Sequence, residues 1–66
     1  MKETKDFLFV FNESSEYAGE HFLVETFNLE EALRILTDDY FFEPSEFKFI
    51  TTLSVEEGEG LGLDTY

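Results

Sequence analysis

The chain has 66 residues, 16 of them acidic and only 4 of them lysine or arginine, which gives a net charge of −12. A chain of this length forms one domain with a small core. The negative charge argues against direct binding to nucleic acid or anionic lipid, whose phosphates attract lysine and arginine, and the lack of cysteine excludes disulfides and thiolate metal sites.

The first half of the chain carries two strand signals. Residues 1–6 are polar and form a short entry, and residues 7–11 are an unbroken aromatic and aliphatic run, typical of a strand covered on both faces. Residues 12–20 are rich in Asn, Ser, Glu and Gly and predict a hairpin loop. Residues 21–27 alternate in polarity and predict a second strand, which places on one face Phe22, Val24 and Thr26.

A helix is expected to follow the second strand. Asn28 can cap its first turn, with Glu31 three residues later as the partner of a capping box. Pro44 disfavours helix in its own and the preceding position, so the helix should end near residues 40–42. Its apolar positions recur with helical spacing and predict the stripe that faces the sheet: Leu29, Ala32, Leu33, Leu36 and Tyr40.

The last strand signal covers residues 47–55, which alternate between apolar and polar side chains. Residues 56–66 are acidic and glycine-rich and are expected to form a flexible tail outside a domain of residues 1–55. The order β-β-α-β predicts an α+β fold, with a three-stranded antiparallel sheet and one helix packed on one face.

The sheet face away from the helix is then open. If the phenylalanines face the helix, alternation sends four apolar residues to the open face, where they predict a dimer or partner interface: Leu8, Val10, Leu23 and Ile50. The alternative is a weakly covered face that the tail shields.

No pattern in the chain indicates catalysis. There is one histidine, His21, and there is neither a glycine-rich phosphate loop nor a nucleophile motif. Asp38, Asp39 and Glu43 carry hard oxygen ligands, but their spacing matches no calcium loop. We therefore expect a protein that is not an enzyme and that has no cofactor and no metal site.

Acidic clusters are the main functional signal. Spaced carboxylates on a rigid domain can imitate the phosphates of DNA and occupy a basic channel, although an ordinary solvated surface has the same composition. Arg34 is expected to pair with Glu30 and Asp38 on the outer helix face. The residues expected to bind a partner are Glu13, Glu16, Tyr17, Glu20, Glu30, Glu31, Ile35, Asp38, Asp39, Phe41, Glu43 and Glu46.

Apolar residues among these acids are candidate binding hot spots. Ile35, Phe41 and Phe42 lie off the predicted inner stripe, and Tyr17 lies in the first loop. The alternative for Phe41 and Phe42 is that they fold back beneath the turn at Pro44 and seal the end of the core.

A further pattern comprises residues 13–16, residues 22–33, Tyr40, Pro44 and residues 47–51. With it, residues 13–55 resemble the very short phage proteins that inhibit host RNA polymerase by binding its jaw region. The resemblance implies a one-helix, three-strand α+β domain that grips the polymerase through its third strand and an acidic surface. That family carries arginines where Thr51 and Leu53 stand here, so its basic contact does not transfer.

These signals together predict a small acidic phage-type inhibitor. It would bind a basic region of a host nucleic-acid enzyme or defence complex, such as RNA polymerase, a nuclease, or a restriction or CRISPR effector, with DNA mimicry as one mode. The alternative is a homodimeric structural or accessory protein without an inhibitory role. The polar N-terminal segment shows neither a signal peptide nor a membrane span, which favours the cytoplasm of an infected bacterial host.

Overall fold

A computed structural model describes residues 3–66 as a four-stranded sheet with helices on both faces. The strands lie in the order β3-β1-β2-β4, with β4 parallel to β2 and the other neighbours antiparallel. The α+β class is confirmed, but the expected three antiparallel strands and single helix are corrected to four mixed strands and two α-helices. The elements are β1 (Lys5–Phe11), β2 (His21–Thr26), α1 (Leu29–Arg34), a π-helical segment (Ile35–Asp39), a 3-10 turn (Pro44–Glu46), β3 (Phe47–Leu53), α2 (Val55–Leu61) and β4 (Asp64–Thr65).

The core lies between the sheet and α1 and consists largely of phenylalanine. Phe9 stacks on Phe22 with ring centroids 5.5 Å apart, and Phe47 meets Phe9 edge-on at 5.6 Å. Aromatic pairs of this kind add to the stabilisation from apolar burial. The buried members of this core are Phe7, Phe9, Phe11, Phe22, Val24, Ala32, Leu36 and Phe47.

The helix α1 begins as the sequence predicts but is rotated relative to the predicted stripe. Asn28 Oδ1 accepts the amide of Glu31 at 2.8 Å, which confirms the N-cap. The expected capping box is not formed, because the Glu31 carboxylate accepts from Arg34 and not from the amide of Asn28. Leu33 is exposed, while Ile35 packs against the core in its place. The π-helical segment that starts at Ile35 has a wider turn than an α-helix, so the face that meets the sheet shifts along it.

A β-bulge interrupts the alternation of β3. Phe9 pairs with Phe49 and Leu8 pairs with Thr51, so Ile50 is the extra residue. The bulge reverses the faces that simple alternation assigns beyond it, and Ile50 lies 42% exposed on an outer strand. Ile50 is therefore not part of a continuous open sheet face.

The second sheet face, expected to be open, is crossed by α2. Strands β3 and β4 lie at opposite edges of the sheet, so the chain between them must pass over a face, and α1 occupies the other one. Gly58 in α2 lies against Asp6, which is on the second face. Leu23, on the same face, is only 1% exposed, and Leu8 and Val10 are half-buried. The expected open apolar face is thus largely covered within the chain.

Residues 56–66, expected to be a flexible tail, contribute most of α2 and all of β4. Ser54 Oγ accepts the amide of Glu57 at 3.2 Å and the Glu57 carboxylate accepts the amide of Ser54 at 3.3 Å, a reciprocal capping box. The amide of Tyr66 donates to the carbonyl of Leu23 at 2.7 Å. The mobility of this segment in solution stays a prediction, which hydrogen exchange can measure.

Candidate protein-binding site

The most unusual backbone in the described residues lies where the first helix ends. The amide of Tyr40 donates to the carbonyl of Ile35 at 3.3 Å, and the amide of Phe42 donates to the carbonyl of Leu36 at 3.0 Å. The Thr37 hydroxyl also donates to the carbonyl of Leu33 at 3.0 Å, a contact that tends to bend helices. π-Helical segments are rare and occur often at functional sites.

Phe41 follows Tyr40, the C-cap residue of this helix, and it has a left-handed conformation with φ of 59°. The position after a helix C-cap is usually glycine, because a Cβ atom in this conformation costs about 1–2 kcal/mol. A bulky aromatic residue here is an outlier. The Phe41 side chain gains no burial in return, since it is 83% exposed.

The neighbours of Phe41 are held firmly on both sides. The Phe42 ring packs edge-on against Phe11 with centroids 5.2 Å apart, and the Tyr40 ring lies 5.0 Å from that of Tyr66. Tyr66 also stacks on Phe22 at 4.9 Å. Because Phe42 packs against the core and the exposed Tyr40 ring lies against Tyr66, the chain between them projects Phe41 outward.

Acidic residues flank Phe41 in the sequence. Asp38, Asp39 and Glu43 are all exposed, and we call residues 38–43 the Phe41 turn. The amide of Glu43 donates to the carboxylate of Glu46 at 2.7 Å, which fixes the start of the 3-10 turn. The Phe41 turn therefore presents one apolar ring among negative charges.

The first loop is fastened beside this turn. The Ser14 hydroxyl and the Asn12 side-chain amide both donate to the carbonyl of Ser45, at 2.9 Å and 3.1 Å. Tyr17 packs against Phe11 with ring centroids 5.4 Å apart. The loop and the Phe41 turn thus lie at the same end of the sheet.

Tyr66 lies where these segments meet. Burial raises the pKa of its phenol, and the neighbouring groups Asp64, Tyr17, Glu20 and Tyr40 raise it further. All of these contributions disfavour the phenolate, so Tyr66 stays neutral and acts as a packing residue. It joins the first loop, the Phe41 turn and the sheet.

The structure divides the residues expected to bind a partner into two groups. One group lies at the end of the sheet with the Phe41 turn, and Glu30 and Glu31 lie about two helical turns away at the start of α1. Ile35 is half-buried against the core and Glu46 is half-buried in the 3-10 turn. The group at the Phe41 end consists of Glu13, Glu16, Tyr17, Glu20, Asp38, Asp39, Phe41, Glu43 and Glu46.

Arg34 does not pair as the helical spacing predicts. It forms its ion pair with Glu31 rather than with Glu30 or Asp38. This is the only ion pair within residues 3–66. Asp38 and Asp39 are exposed and form no ion pair within residues 3–66.

Three further features of residues 3–66 concern metal ligands, membrane spans and the single histidine. This part of the chain contains no group of three or more His, Asp or Glu side chains arranged to hold a metal ion. None of its helices has the length and apolar character to span a bilayer. His21 is exposed at the start of β2.

Comparison of the chain with family models, curated proteins and solved structures finds no significant match. The resemblance to phage polymerase inhibitors therefore remains an expectation from the sequence.

Sequence reasoning identified Phe41 as a candidate hot spot but left open whether it seals the core. The structure separates the pair, because Phe42 packs on Phe11 while Phe41 is exposed. Tyr66 falls within residues 56–66, which the sequence predicts to be a flexible tail. No local sequence pattern predicts that Tyr66 is a packing residue, because its position depends on the pairing of β4 with β2.

Proposed function

We propose that this chain is a non-catalytic inhibitor that binds a basic surface of a nucleic-acid enzyme or defence complex through the Phe41 turn. The observation that carries the proposal is the left-handed, 83% exposed phenylalanine at position 41. Strained residues persist where the surrounding structure holds them, and they cluster at binding and catalytic sites. Strain together with full exposure of an aromatic ring supports a binding role.

The charge around Phe41 supports a particular partner chemistry. Protein interfaces commonly place an aromatic anchor in a desolvated pocket, with charged residues at the rim. Here the rim carries Asp38, Asp39 and Glu43. The complementary surface is an apolar pocket bordered by lysine or arginine, and the net charge of −12 would speed the approach to it.

Basic surfaces of this kind are typical of proteins that handle nucleic acid. The acids of the first loop lie at the same end of the domain as the Phe41 turn, and together they could occupy a site that otherwise holds phosphates. This favours inhibition by occupation of a DNA or RNA channel. A phage origin and action in the cytoplasm of an infected bacterium remain part of the proposal.

The test is a comparison of binding by the wild type and Phe41→Ala. Immobilised protein is exposed to bacterial lysate at low and moderate salt, and retained proteins are identified and purified. We expect a nucleic-acid-handling protein that is released as salt rises, because exposed ion pairs are screened. Phe41→Ala should lose about 2 kcal/mol of binding, roughly 30-fold in Kd.

Phe27→Ala is the matched control, because Phe27 is another exposed phenylalanine, 54% accessible, that lacks a positive φ. It should bind like the wild type. The purified partner should lose activity on its nucleic acid at a one-to-one ratio. Failure to retain any nucleic-acid-handling protein, or equal binding by Phe41→Ala, would overturn the proposal.

A homodimer is the second candidate, and one observation favours it. The outer edge of β3 pairs with no other strand in residues 3–66, and Phe49 and Ile50 are exposed there. Unpaired edges of apolar strands are common sites of strand pairing between chains. Residues 47–55 also contain no acidic side chain, so two copies would meet where they repel least.

Light scattering separates the two candidates. A dimer of two acidic chains should strengthen as salt rises, whereas binding to a basic partner should weaken. Ile50→Asp should break such a dimer, while Leu33→Asp, at an exposed position on α1, should not. A monomer at every salt concentration would exclude the homodimer.

A further inference from the structure

A buried carboxylate lies on the sheet face that α2 covers. Asp6 is only 3% exposed, and its Oδ1 atom has no hydrogen-bond partner. Ionised carboxylates are almost never buried without a partner, because the loss of hydration is costly. An unpaired buried aspartate therefore needs a physical explanation.

The packing of α2 creates this burial. Gly58 lies so close to Asp6 that a Cβ atom added at Gly58 would overlap Asp6 Oδ2. Any residue other than glycine would force the Asp6 side chain or the helix to move. The helix therefore reaches its position directly over the carboxylate because residue 58 has no side chain.

The charged groups around Asp6 are acidic. Glu25 pairs with Asp6 across the β1–β2 ladder, and Glu59 follows Gly58 in α2. On the β3 side the paired residue is Leu53, which carries no charge. Burial raises the pKa of Asp6 above its ordinary value of 3.8, and the charges of Glu25 and Glu59 raise it further.

We propose that α2 is a pH-responsive cover, held closely on the sheet when the Asp6 carboxyl is protonated and more readily lifted when it is ionised. Lifting α2 gives the carboxylate access to water and uncovers the apolar side chains of the same face. Leu23 is buried there, and Leu8 and Val10 are half-buried. The second sheet face is therefore exposed only when α2 is lifted, and it lies apart from the Phe41 turn.

The direction of the pH effect follows from linkage. The docked state binds the Asp6 proton more tightly than the open state, in which the carboxyl has its ordinary pKa near 3.8. Docking is therefore strongest below that value. It weakens as the pH rises from that value through the raised pKa of the docked state, and stays constant above it.

Hydrogen exchange of the α2 amides tests this proposal. Protection factors, corrected for the intrinsic rate at each pH, are measured from mildly acidic to neutral pH for the wild type, Asp6→Asn and Glu13→Gln. The control Glu13→Gln removes one negative charge at an exposed position, so it accounts for general relief of repulsion. A titration of the Asp6 carboxyl carbon by NMR accompanies the exchange data.

We expect the wild type and Glu13→Gln to lose α2 protection as the pH rises. Asp6→Asn should keep its protection, because its neutral side chain has nothing to titrate, and the Asp6 carbon should titrate above 3.8. Gly58→Ala should show low α2 protection at every pH. Equal pH dependence in Asp6→Asn and Glu13→Gln, or an ordinary Asp6 titration, would overturn the proposal.

Discussion

The two helices of this domain end in the same backbone conformation with very different residues. α2 is followed by Gly62 with φ of 67°, and the π-helical end of the first helix is followed by Phe41 with φ of 59°. Glycine adopts this conformation without steric cost, whereas phenylalanine does so at about 1–2 kcal/mol. One end therefore has no steric cost, whereas the other carries one.

The surroundings of the two residues sharpen this contrast. An added Cβ atom at Gly62 would meet no other atom within 4 Å, so conformation alone selects glycine there. At position 41 the ring is 83% exposed and takes part in none of the aromatic contacts of residues 3–66. The proposed interaction of Phe41 outside this chain would account for this difference.

Of the two left-handed positions, Gly62 is the one where a substitution should lower stability. Gly62→Ala should lower the free energy of unfolding by about 1 kcal/mol, because alanine must adopt the left-handed conformation that Phe41 already has. For a domain of this size that corresponds to a fall in Tm of about 4–8 °C. Thermal and urea unfolding followed by circular dichroism measure both quantities.

Gly60→Ala is the control for this substitution. Gly60 lies inside α2, has no positive φ and has open space around it, so alanine there should raise stability by up to about 1 kcal/mol. If both substitutions had the same sign, the conformation at residue 62 would not be the cause.

Much of the fold was readable from local sequence. The run of residues 7–11, the alternation of residues 21–27 and the Asn28 cap each depend on neighbouring residues alone, and the structure confirms them. The pattern Ser54-Val55-Glu56-Glu57 is likewise a capping-box signature. The acidic and glycine-rich composition of the residues that follow predicts a flexible tail instead, and the sequence analysis therefore did not predict α2.

The remaining features depend on contacts that are distant in sequence. Gly58 fits α2 because of Asp6, which lies 52 positions earlier in a segment that read as a polar entry. The bulge at Ile50 depends on the register with β1. No sequence pattern predicts a left-handed phenylalanine, because local preference opposes it, and the candidate site was therefore only partly predictable.

The most direct test of the account is the unfolding free energy of Phe41→Gly. If Phe41 is a strained residue kept for binding, glycine relieves the strain, and the stability should be unchanged or raised by up to about 1 kcal/mol after the entropy of glycine is counted. A loss of more than about 1 kcal/mol would show that the Phe41 side chain supports the fold, and would contradict the claim that its strain serves a partner.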